Sequence, residues 1–200
     1  GTATILTSTV GGGNSAPNGG GIYVETGSTL NLRATTISGN TTTSLGGGIE
    51  VAGTLVGTAI SLTNNTAPLS AYGAGMGVDT SAYATLDRAW FSGNQSGAYG
   101  GGLVNIGTLS MTNSTLADNS AGLEGGGILN ANLLNIDHST FGGNTSSKNG
   151  GAIANGLYLS SASSIAGTFV GSNLTLNGNV AAGGGGGLAN EAGTTTLNNV

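Results

Sequence analysis

Eight carboxylates, one histidine and three basic side chains supply nearly all the ionisable chemistry of this 200-residue chain, which has no cysteine. A polysaccharide-cleaving site would gather acids on one strand face, usually with a basic residue or a calcium ion. The acids are Glu25, Glu50, Asp79, Asp87, Asp118, Glu124, Asp137 and Glu191, and of these Asp87 and Asp137 share a phase of the internal repeat described below. Two units apart, they would stand about 10 Å from each other at strand spacing, within reach of an inverting pair. Nothing adjacent in sequence would raise a pKa or clamp a sugar, so a solvated strand face accounts for both. His138 follows Asp137 directly, and alternation along a strand would point the two apart, leaving a surface histidine and no dyad. Gly73, Gly75 and Gly77 lack the following helix that a phosphate loop requires. Gly75, Gly77 and Asp79 echo one turn of a calcium-binding nonapeptide that works only in tandem. No catalytic, cofactor-binding or metal residue is expected, and the chain does not read as an enzyme.

The aromatic residues carry more information. Tyr72, Tyr83, Trp90, Phe91 and Tyr99 cluster in one stretch. Tyr72 and Tyr99 each precede a glycine cluster, and Leu45 precedes the previous one, so the three should form an apolar ribbon on one side. Trp90 should face outward, because its neighbour Phe91 belongs to an inward column. Exposed contiguous aromatics mark contact surfaces, which makes Tyr72, Tyr99, Trp90 and Leu45 the candidate contact for a glycan or protein partner.

Those side chains must be positioned by a repeat. Glycine clusters begin at Gly19, Gly46, Gly73, Gly100, Gly125, Gly150 and Gly185, each followed three residues later by Ile22, Ile49, Met76, Leu103, Ile128, Ile153 or Leu188. A second marker sets an apolar residue three positions before asparagine: Ile37 and Asn40, Leu62 and Asn65, Phe91 and Asn94, Leu116 and Asn119, Phe141 and Asn144, Leu176 and Asn179. Val10 and Asn14 share this phase with one residue too many. Helical periodicity is absent, while Leu30 and Leu32, Leu109 and Met111, and Leu134 and Ile136 alternate as strands do. Such a unit cannot bury its apolar face alone, so neighbouring units must stack.

The expected fold is all-β: a single-stranded parallel β-helix, a solenoid of about seven coils of 25–27 residues, forming one continuous segment over residues 1–200. One coil should carry an insertion of about ten residues near Leu157 to Ala166. A buried amide without partners is costly, but amides stacked at strand spacing can bond to one another. An inward ladder is therefore expected through Asn40, Asn65, Asn94, Asn119, Asn144 and Asn179. In the position two after the aliphatic marker, Val24, Val51 and Val78 give way to Asn105, Asn130, Asn155 and Asn190. A column of mutual contacts would switch in this way.

Composition narrows the function. Forty-one glycines, two prolines, a charged fraction of 6% and a net charge of −5 leave a chain that can fold. Its scarce Arg and Lys cannot neutralise phosphates, so nucleic acid is not an expected partner. No apolar run approaches the roughly 18 residues of a membrane span, so no membrane insertion by this segment is expected. Gly1 is not a natural start, and both ends share nearly one phase of the coil. A fragment of a longer protein, or molecules associating end to end, would fit that pattern.

The glycine-pair-plus-aliphatic motif Gly150-Gly151-Ala152-Ile153, with Phe91-Ser92-Gly93-Asn94 and Phe141-Gly142-Gly143-Asn144, resembles the repeat of polymorphic outer membrane proteins. Related repeats occur in autotransporter passengers and giant adhesins. The resemblance, with the usual hand of parallel crossovers, implies a right-handed β-helix at the bacterial cell surface or in the extracellular space. It also implies a structural role, the shaft of an adhesin or the material of a fibre, and the alternative is a carbohydrate-binding or polysaccharide-cleaving β-helix using the aromatic side. An ice-binding face fails because Trp90 and Ser61 interrupt the column of Thr9, Thr36, Thr115 and Thr140.

Overall fold

A computed structural model describes residues 1–68, 70–160 and 163–200. The chain winds as an all-β solenoid of about seven coils, each contributing one strand to each of four parallel sheets. Sheet A has eight strands, from Thr2–Leu6 to Gly193–Asn198, and includes Tyr83–Asp87, Thr108–Thr112 and Leu133–Asp137. Sheet B has seven, from Thr9–Gly11 to Thr175–Asn177, with Trp90–Ser92 at its middle. Sheet C runs from Ser15–Asn18 to Val180–Ala181, and sheet D from Ile22–Val24 to Leu188–Asn190.

Corners between the sheets are made where the backbone turns left-handed. The first glycine of each cluster lies at the corner from sheet C to sheet D, as Gly46 does with φ 68°. The next glycine is needed for a different reason. A Cβ on Gly47 would collide with the Ala74 carbonyl of the following coil, so the close stacking of this corner favours a bare backbone, although Ala74 fills the same position one coil on. At the corner from sheet A to sheet B the left-handed residue carries a side chain, for example Arg88 with φ 53° and His138 with φ 48°.

Every sequence column becomes a line of contacts. Ile37, Leu62, Phe91, Leu116 and Phe141 stack inside sheet B, and Ile49, Met76, Leu103, Ile128 and Ile153 inside sheet D, all fully buried. Sheet A adds two more inward columns, through Leu30 and Leu55 and through Leu32 and Leu86. Where Gly57 leaves a gap in the second, Leu86 and Ile60 close over it.

The asparagine ladder forms at the corner from sheet B to sheet C. Asn65 Oδ1 accepts from both the backbone N–H and the side-chain amide of Asn40, at 3.0 and 3.1 Å. Asn94, Asn119, Asn144 and Asn179 repeat the arrangement. Each amide also donates to the inward residue's carbonyl in the preceding coil, as Asn94 Nδ2 does to Leu62 O at 2.9 Å. Both functions of the buried side chain are thus satisfied, and so is a backbone N–H that the turn would otherwise orphan. Asn14 joins as a further rung, donating to Asn40 Oδ1 at 2.9 Å, because Gly12 and Gly13 absorb the extra residue at φ 87° and 86°.

The second ladder stands in sheet D. Asn105, Asn130, Asn155 and Asn190 are bonded in sequence at 2.7, 2.8 and 2.8 Å, in register with Val24, Val51 and Val78. The enlarged coil places its extra residues in an antiparallel hairpin, pairing Leu157 with Ile165 and Tyr158 with Ser164. Residues 161–162 of the expected insertion lie outside the described residues.

Candidate functional site

Outside the coil, the outward residues of sheet D form the column Tyr23, Glu50, Gly77, Val104, Leu129 and Ala154. An outward face of a sheet is ordinarily wet, yet Val104, Leu129 and Ala154 are buried, in a second apolar cluster with Leu45, Tyr99 and Ile106. Gly77 makes this possible, since a Cβ there would overlap the Leu45 side chain that folds across it.

One wall is the expected apolar ribbon. Leu45 bridges to Tyr72, and the rings of Tyr72 and Tyr99 lie 5.4 Å apart, tilted by 41°. Leu45 is buried and Tyr72 is 40% exposed. Glu124 occupies the same position one coil further on. The opposite wall comes from Ile106 and Ala131, extended by Leu157 and Ile165 of the hairpin. Between the walls lies a groove of about 550 Å³ that also admits Asn18, Ser44, Glu50 and Asp79.

Glu50 is the unusual residue of this groove. It is only 4% exposed, and its Oε2 has no hydrogen-bond partner. Burial raises its pKa to about 7, the charge of Asp79 pushes the same way, and the Gly19 backbone N–H opposes them. Glu124 is equally buried and likewise keeps Oε2 unpartnered. Burial and the charge of Glu191 raise its pKa, while Lys148 lowers it. Burial, with Glu124 next, also lifts the Tyr99 phenol.

Trp90 does not share this side. It is 47% exposed on sheet B, between Ser61 and Thr115, while Tyr72 and Tyr99 stand beyond the next corners at the entry to sheet D. Sequence proximity misleads here because each coil turns through several sheets.

Asp87 and Asp137 do share a column of sheet A, with Thr112 between them. Neither is poised as an acid. Asn113 holds the Asp87 carboxyl below its usual range with a 2.9 Å hydrogen bond, helped by Arg88. Asn173 does the same for Asp137, helped by His138. His138 Nδ1 lies 2.8 Å from Asp137 Oδ2, contrary to the expectation from strand alternation. The strand has already ended there: His138 is left-handed, which swings its imidazole back beside the preceding side chain. Among the described residues, no group of three or more His, Cys, Asp or Glu could hold a metal ion.

Sequence reasoning placed Leu45, Tyr72 and Tyr99 side by side, as they are, but did not single out Glu50, Val104 and Leu129. For the last two a signal was present: Leu103-Val104-Asn105 and Ile128-Leu129-Asn130 are strands without a polar outward residue.

Residues 138–156 match the Chlamydia polymorphic membrane protein repeat. The match includes Phe141-Gly142-Gly143-Asn144 and Gly150-Gly151-Ala152-Ile153, a ladder rung together with a stacking corner. Searches of curated proteins and of solved structures return no match. The chain is thus a parallel β-solenoid whose coils resemble the repeats of polymorphic outer membrane proteins.

Proposed function

We propose that the chain is a length of shaft in a bacterial surface protein and performs no catalysis. The observation that supports this reading is the continuous interior: apolar columns and amide ladders run from coil to coil in unbroken register. Such an interior has no chemistry to offer a substrate and resists shear between coils, because sliding one coil would break every column together. Its product is length, at about 4.8 Å per coil. A repeat associated with outer-membrane proteins is the second support. Antibodies raised against the folded chain should label intact, unpermeabilised cells that carry the protein. Labelling only after lysis would overturn the reading.

A further inference from the structure

The groove outside sheet D is charged at one end and apolar at the other. Glu50 and Asp79, with Asn18 and Ser44, line the part belonging to the early coils. Val104, Leu129, Ile106 and Leu157 line the later part. From Glu50 to Leu129 is three coil steps, about 14 Å. Both charged groups at the head of the groove are acids, and Glu50 keeps a buried oxygen without a donor. A buried acceptor of this kind is costly to leave unpaired. The chain's few cations do not supply the partner: Arg88 pairs with Asp87 on sheet A, Arg33 ends a strand of that sheet, and Lys148 acts on Glu124. Tyr72 and Tyr99 flank the groove with aromatic rings, and ring faces attract cations.

We propose that this groove binds an organic cation, a primary ammonium on an apolar stem, with the ammonium at Glu50 and Asp79 and the stem laid between Tyr72, Ile106 and Ile165, above the buried Val104 and Leu129. A free alkylamine has this chemistry. The ligand supplies the donor that Glu50 Oε2 lacks and covers apolar surface that water now touches. A sugar fits less well, because the floor is aliphatic and polar groups gather at one end only. The assignment stands independently of the shaft reading.

Hexylamine is a suitable probe, with hexanol as its neutral counterpart. Amide spectra of the labelled chain should be recorded at pH 8, where Glu50 is ionised and hexylamine protonated. Hexylamine should produce saturable shifts at Glu50, Gly77, Val104 and Leu129, with at least tenfold higher affinity than hexanol. Glu50→Gln should remove that advantage and leave hexanol binding unchanged. Tyr72→Leu should weaken hexylamine several-fold without affecting hexanol, which keeps the test decisive should Glu50→Gln fail to fold. Equal binding of the two probes, an advantage that survives both substitutions, or the absence of saturable shifts overturns the proposal. So does a neutral oligosaccharide that occupies the same residues more tightly than hexylamine.

Discussion

The interior of the coil and the outer face of sheet D both bury polar side chains, and they treat them oppositely. Inside, Asn65, Asn94 and Asn119 are fully buried, and each finds donors and acceptors in the coils above and below. Outside, Glu50 and Glu124 are nearly as buried, and each keeps an oxygen without a partner. Repetition makes the difference. A side chain stacked on its own kind meets a complementary group at every step, whereas Glu50 has Tyr23 before it and Gly77 after it. A polar group that the fold itself satisfies contributes to architecture. One that the fold leaves unsatisfied is held at a cost, and such positions are where recognition is to be sought.

The largest break in this comparison should come from Asn94→Ala. It removes the acceptor for both Asn65 donors and the donor to Leu62 O, all buried. A loss of about 3–5 kcal/mol is expected in denaturant unfolding. Asn130→Val should cost about 2 kcal/mol, since it restores an apolar side chain but deprives Asn155 Oδ1 of its donor. Glu50→Gln should act in the other direction. A folded-state pKa of about 7 against 4.5 means that the folded chain binds the proton more tightly. The native carboxyl therefore contributes full stability below about pH 4.5 and loses it as pH rises through 7. After discounting for solvent screening, the variant should be more stable than the native chain by about 1 kcal/mol at pH 8 and nearly equal to it at pH 4, read from paired thermal melts. His138→Ala should leave the melting temperature unchanged, because its pairing with Asp137 is on the surface.

Much of the fold was legible in the sequence because interior contacts in a solenoid join like to like. The change from Val78 to Asn105 announces a shared column before any coordinate is known. Asn14 was harder to place, since two left-handed glycines had to take up one residue before it could reach Asn40. The groove was largely illegible. Whether an outward residue is wet depends on what folds over it, and Val104 is covered by Leu45 and Tyr99, from elsewhere in the chain. His138 was misplaced for a local reason: alternation is a property of extended backbone and stops at a left-handed residue.

The meeting of Val78 with Asn105 leaves Asn105 Oδ1 buried with no donor, because the valine above it has none to offer. That vacancy arises once, at the border between the valine and asparagine blocks, however many coils lie on either side. Val78→Asn would only move the border up one coil, where the new amide would meet Val51. Whole coils could therefore be gained or lost within either block at no added penalty of this kind, so the two arrays can change length by duplication or deletion while their single junction stays constant.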